Sequence, residues 1–276
     1  MGSLFDGLDA FGIEGVENTD LFEEESVGKE AGKPKVKVIN EEDLLYDRSI
    51  RCPVCDTVFE VRTVKQGTTM QEGTQLNLRP VYKDMDMIKY DVILCEVCGY
   101  SALNRNFKKV SERQIKTIRE KISMKYVGKK YPQVYDYSIA LERYKMALYN
   151  DVVMGRTDIN KAYLCLKASW VIESLIRETT EPKVLAEYQE MYQTFVANAL
   201  KGFNRNYNDT VFPVFGMNKS TYQYLLGALS YEVNDMKGTS FWLGKLLLSP
   251  ISSARIKNKA RELKAQIDKD KEKVTE

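Results

Sequence analysis

The sequence predicts an α+β protein, a small β zinc ribbon followed by an all-α, tetratricopeptide-like helical repeat domain, and three observations carry that expectation. Two Cys-x-x-Cys pairs, Cys52 with Cys55 and Cys95 with Cys98, flank short β-prone stretches, and converging thiolates from two such pairs make a closed tetrahedral site. From about residue 108 onward the apolar residues recur at helical spacing. The chain has no histidine, so the ligand set is all sulfur. The expected organisation is a disordered acidic tail over 1–40, the four-cysteine ribbon over 41–107, the helical repeat-like domain over 108–270, and a charged C-terminal tail over 271–276.

The tail comes first. Residues 1–50 hold 13 acidic and 5 basic side chains, and the first 40 are rich in glycine with a run Glu23-Glu24-Glu25, a composition that cannot bury enough apolar surface to fold alone. Leu4, Phe5, Leu8 and Phe11 recur at helical spacing and could dock on this protein or a partner; a disordered leader with incidental apolar residues is the simpler reading.

In the ribbon, strands are expected at Val58–Arg62, Leu76–Tyr82 and Tyr90–Leu94. Each cysteine pair sits on a tight turn whose backbone amides face sulfur. Gly99 suits the position after the second pair, where positive φ is needed, and Asp56 takes the matching place after the first. The 39 residues between Cys55 and Cys95 exceed the common spacing of about 15–20, which a longer insertion accommodates because loop-closure entropy grows only logarithmically.

The helices follow. Ser111-x-x-Gln114 reads as a capping box ahead of Ile115, Ile118 and Ile122 on one face. Further faces are Tyr137, Ala140, Leu141, Tyr144 and Leu148; then Leu185 to Phe203; then Leu225 to Val233; and finally Ile256, Ala260, Leu263 and Ile267. Ile159 to Ile176 is apolar on more than one face and is expected at the centre. Gly155 to Asp158, Thr180 to Pro182, Asn234-Asp235 and Pro250 mark the breaks. Tyr137-x-x-Ala140-x-x-x-Tyr144-x-x-Ala147-Leu148 and Tyr224 to Leu229 look like degenerate tetratricopeptide repeats. The long connection Asn204 to Gly216 carries Tyr207, Phe212 and Phe215, whose rings are expected to seal helix ends rather than form a ligand site.

The composition also bounds the chemistry. Without histidine, Ser-His-Asp, Cys-His and imidazole acid–base catalysis are excluded, the carboxylates show no catalytic spacing, and Gly12-x-x-Gly15 lacks the strand a phosphate loop needs. No catalysis is expected. Four thiolates leave zinc no open position, so the expected cofactor is structural Zn2+ held by Cys52, Cys55, Cys95 and Cys98, with iron as the rival metal and a redox switch as a weaker reading. Cys165, between Leu164 and Leu166, reads as a packing residue. No apolar run reaches the length of a membrane span and no signal peptide is evident, so a cytoplasmic location without membrane contact is expected. Residues 101–130 hold ten Lys/Arg against Glu112 and Glu120. They read first as a solvated helix face and second as a nucleic-acid contact. The leading functional expectation is a scaffold or regulator that binds a protein or peptide through its helices; a nucleic-acid-binding regulator is the alternative.

Cys52-Pro53-Val54-Cys55, Tyr90-Asp91-Val92 leading to Cys95-x-x-Cys98-Gly99-Tyr100-Ser101-Ala102, Ala162 to Trp170, and Tyr224-Leu225-Leu226-Gly227 together resemble a bacterial family of unknown function. That family is found mainly in Gram-positive organisms and places a four-cysteine zinc ribbon before tetratricopeptide-like helices. The likeness runs from about Ile50 to Gln266. Glu96 stands where the family often has Pro, which alters one knuckle and removes no ligand. The resemblance implies the fold and the metal and assigns no activity.

Overall fold

In the computed structural model, residues 40–275 are described; the expected acidic tail lies outside them except for Asn40. The strand part consists of three two-stranded antiparallel sheets. Strand β1 (Leu45–Arg51) pairs with β2 (Val58–Val64), from Leu45 opposite Val64 to Arg51 opposite Val58, so the first cysteine pair is the turn of this hairpin. Strands β3 (Gln71–Thr74) and β4 (Pro80–Tyr82) form the second sheet, with a bulge between Gln71 and Gly73. Strands β5 (Val92–Leu94) and β6 (Ser101–Leu103) form the third, and the second cysteine pair is its turn.

The expected strand at Leu76–Tyr82 shortens to Pro80–Tyr82. Gln75 to Arg79 is a turn closed by Gln75 N–H donating to Arg79 O at 2.8 Å, with Leu78 at φ 65°. Tyr90 also leaves its expected strand, because Met87–Tyr90 forms a 3-10 turn capped by Asp86.

Among the described residues there are seven α-helices. Helix α1 (Glu112–Ile118) starts on the expected capping box: Gln114 N donates to Ser111 Oγ at 3.4 Å, and Ser111 N to Gln114 Oε1 at 3.1 Å. It continues as a π turn over Arg119–Ser123. Helix α2 (Tyr137–Val153) is capped by Asp136, α3 spans Asp158–Glu178, and α4 (Pro182–Asn206) begins on proline, whose missing N–H is tolerated in a first turn. Helix α5 (Lys219–Glu232) is capped by Asn218 and α6 (Met236–Leu248) by Asp235; α7 spans Ala254–Thr275, so the charged C-terminal stretch continues this helix. The sequence reading treated α6 only as apolar residues downstream of α5.

As expected, α3 is central. Its Ala168, Val171 and Ile172 are at most 1% exposed and pack in one cluster with Tyr144 of α2, Val196 and Phe203 of α4, and Leu225 and Leu226 of α5. Ile88, Val92 and Leu103 belong to the same cluster, so the strand part and the helices share a core. A buried ionic network fastens the Gln75–Arg79 turn to α3. Arg79 donates to Trp170 O at 2.7 Å and Ser174 Oγ at 2.5 Å, and pairs with Asp86 at 2.5 Å and Glu173 at 3.2 Å. Burial works against the guanidinium charge, and the paired carboxylates more than offset it, so the pKa of Arg79 is raised. No helix among the described residues is long and apolar enough to cross a membrane.

Candidate metal centre

The two hairpins bring all four sequence-predicted cysteines together. The Sγ atoms of Cys52, Cys55, Cys95 and Cys98 lie within 4.8 Å of one another, and the Cys52–Cys98 and Cys55–Cys95 separations are both 3.6 Å. A regular tetrahedron of sulfurs about 2.3 Å from a central zinc has edges of about 3.8 Å, so the spacing fits one ion. It does not fit disulfides, and all five cysteines are free. Cys52 and Cys95 are fully buried, Cys98 is 4% exposed and Cys55 is half-buried, so the cluster meets solvent on the Cys55 side.

The two turns repeat one local design. Cys52 N donates to Thr57 O at 2.9 Å and Asp56 N to Cys52 O at 3.0 Å; Cys95 N donates to Tyr100 O at 2.8 Å and Gly99 N to Cys95 O at 2.9 Å. The residue after each pair is left-handed, Asp56 at φ 66° and Gly99 at φ 72°. The two positions differ in tolerance. At Gly99 a Cβ would meet the Tyr126 ring at 2.6 Å, whereas Asp56 has room for its side chain and pairs with Arg51 at 2.8 Å. Val54 N–H points at Cys52 Sγ at 3.4 Å, and the amides of Val97 and Cys98 favour the thiolate of Cys95.

Charge explains why a cation suits this place. The crowded sulfurs split their proton affinities: Cys52 and Cys98 lower the Cys95 thiol, Cys95 raises that of Cys52, and Cys52 raises that of Cys98. Four thiolates so close need a cation among them. Cys165 is 6% exposed on α3, away from the cluster; burial pushes its thiol up to about 12, as suits a packing residue.

Groups that sequence reasoning missed hold the turns from outside. Arg119 of the π turn donates through Nε to Val54 O at 2.8 Å, with a second bond from Nη2 to the same oxygen. Ser123 Oγ donates to Cys98 O at 2.9 Å, and Asn150 Nδ2 of α2 donates to Gly99 O at 3.0 Å. Arg119 was counted only within the basic stretch. Its partner lies 65 residues away, and no local pattern marks it. The apolar surroundings, Val61, Ile93, Tyr100, Phe107, Ile118, Ile122 and Met154, come from both hairpins, α1, the π turn and the end of α2.

Fold and cluster together define a class: a mixed protein of helices and small antiparallel strand pairs built round four cysteines able to hold a metal ion. The chain belongs to the family described as an uncharacterized protein conserved in bacteria (DUF2225), whose model matches residues 45–267, from the first residue of β1 into α7. Searches of curated proteins and of solved structures found no match. The resemblance drawn from the cysteine pairs and helix segments is therefore correct as to an uncharacterised bacterial family.

Proposed function

We propose that this protein is a non-catalytic scaffold or regulator in which Cys52, Cys55, Cys95 and Cys98 hold a structural zinc ion and the helical part binds a protein partner. The ion supplies cross-linking between two hairpins that bury little apolar surface of their own. The tetratricopeptide-like reading belongs to this proposal. The Tyr224–Leu229 segment falls on α5, where a Cβ at Gly227 would lie 2.8 Å from Leu243 Cδ2 of α6; a small residue there lets the two helices close, as a helical-hairpin repeat requires.

The observation that carries partner binding is a stripe on α6. Phe241 and Leu248 are seven residues apart on one helix face and are 59% and 86% exposed, and Ile251 just beyond is 81% exposed. Gly244 lies between them with open space over it. Single exposed apolar residues are ordinary, and three large ones gathered at one end of α6 support a contact surface there. Leu248→Asp should leave the helical circular dichroism unchanged and abolish capture of a partner protein from lysate of the native host. Equal capture by both proteins would contradict the reading.

A second reading, nucleic-acid binding, is supported by the exposure of all ten Lys/Arg of residues 101–130. Several already have work within the fold: Arg119 holds a knuckle carbonyl, Lys129 pairs with Glu142, and Arg105 stacks on Tyr163. Nucleic acid that co-purifies and survives high-salt washing would reverse the ranking, because phosphate contacts weaken steeply with salt.

A further inference from the structure

A cavity of about 640 Å3 lies where the β3–β4 sheet, α3, the loop before α5, and the first turns of α5 and α7 meet. That falls within the range of about 300–1,000 Å3 of small-molecule sites. Two kinds of lining residue meet in it. One is aromatic: Tyr82 of β4, Tyr163 and Trp170 of α3, and Phe215 of the loop. The other is polar and cationic, with Ser253, Arg255 and Lys259 at the start of α7 and Asn218 and Thr221 at the start of α5. No carboxylate lines this cavity. Among the described residues, Arg255 and Lys259 form no ion pair, although Lys259 Nζ donates to Thr74 O of β3 at 3.0 Å, while Lys167, the third cation present, is neutralised by Asp91.

Three features distinguish the aromatic wall. Tyr163 and Phe215 are stacked with centroids 4.1 Å apart and planes 14° apart, and Arg105 covers both rings at 4.5 and 4.9 Å. Phe215 sits there with φ 50°, a left-handed conformation that is unfavourable for a bulky residue and that recurs at binding sites. Trp170 is only 5% exposed, and among the described residues its buried indole Nε1–H has no acceptor. An unpaired buried donor is costly, so a small shift of the Trp170 ring that gave it an acceptor would be favourable. The sequence reading assigned the loop aromatics to sealing helix ends. Phe212 does so against Tyr222, and Tyr207 against Trp242, but Phe215 lines the cavity.

We infer that this cavity binds a small molecule of mononucleotide type, its aromatic ring against Tyr82, Tyr163, Trp170 and Phe215 and its phosphate at Arg255 and Lys259. A flat ring meets the aromatic residues Tyr82, Tyr163, Trp170 and Phe215. An anion meets Arg255 and Lys259, which have no carboxylate partner and whose charge-assisted hydrogen bonds are the strong kind. An acidic peptide would satisfy the cations but would leave the stacked wall without a flat partner. The metal centre and the α6 stripe contribute no lining residue, so this inference stands or falls apart from the proposed scaffold role.

The test titrates the full-length protein with each of the four common nucleoside monophosphates, adenosine, inorganic phosphate and an oligo-glutamate peptide at fixed ionic strength. Calorimetry and tryptophan emission are read together; the chain has two tryptophans, so Trp242→Phe isolates Trp170, and calorimetry on the unaltered protein stands if that variant folds poorly. The expected result is saturable one-site binding of at least one monophosphate with a change in Trp170 emission, and binding at least about tenfold weaker for adenosine or phosphate alone, the ratio one charge-assisted contact supplies. Arg255→Ala and Phe215→Ala should each weaken binding about tenfold or more with unchanged circular dichroism. The inference is overturned if no monophosphate binds, if phosphate alone or the acidic peptide binds as well as the best monophosphate, or if Arg255→Ala has no effect.

Discussion

Cys98→Ser is expected to unfold one definable part of the molecule and leave the rest standing. In zinc-finger peptides a structural zinc contributes about 10–16 kcal/mol at neutral pH, as much as the whole stability of many domains, about 5–15 kcal/mol. Losing a ligand therefore outweighs every other contact in the ribbon. The affected part follows from the shared apolar cluster: Val61, Ile93, Tyr100 and Phe107 pack with Ile118 and Ile122, so α1 and the π turn should loosen with the two cysteine hairpins. The boundary lies beyond the residue-107 limit that the sequence suggested. The core round Val171, Ile172, Phe203 and Leu225 is made mainly of helix side chains and should persist. Hydrogen exchange read by mass spectrometry should show protection lost over residues 48–62 and 95–123 and kept in α3 and α5. Cys165→Ser, outside the cluster, should not reproduce this pattern. Unchanged protection in Cys98→Ser would mean that the cysteines do not carry the ribbon.

Arg79→Ala is expected to produce the second largest loss. Its guanidinium is 6% exposed and joins Asp86, Glu173, Ser174 and the Trp170 carbonyl. Removing it takes the shared cation from two partly buried carboxylates, leaving Asp86 with Tyr137 Oη and the Ile88 amide, and Glu173 with the more exposed Arg177. Breaking one partner of a buried pair costs about 3–5 kcal/mol, and at about 2–4 °C per kcal/mol for a unit of this size the midpoint should fall by roughly 10 °C. Lys129→Ala, which breaks a pair whose side chains are 53% and 49% exposed, should cost no more than about 1 kcal/mol. The two variants compared by thermal unfolding decide the point. A fall of less than about 2 °C for Arg79→Ala would show that the network does not fasten the turn to α3.

What was legible in the sequence was local. The cysteine pairs declare themselves because ligand spacing is set within one turn, and Gly99 and the Ser111–Gln114 box are likewise decided by neighbours in the chain. Strand β1 was hidden because its exposed Asp47 and Arg51 and half-buried Arg48 lie on a two-stranded ribbon and break the apolar alternation. Strand β6 has only three residues, too few to show a period. Helix α6 was hidden by its outward Phe241 and Leu248, which blur the apolar face that periodicity detects. The groups that steady the knuckles were hidden by distance: Ser123 lies 25 residues from its partner and Asn150 lies 51. The cavity draws on β4, α3, a loop and α7, a grouping that only the tertiary fold creates.

X-ray absorption at the metal edge, on protein purified without added chelator or metal and assayed for metal content, addresses the closed four-sulfur site most directly. The expected spectrum shows about one zinc per chain with four sulfur neighbours at about 2.3 Å and no lighter atom in the shell. Nitrogen or oxygen in that shell, or protein that is folded and free of any ion, would contradict the reading of Cys52, Cys55, Cys95 and Cys98 as a structural metal site.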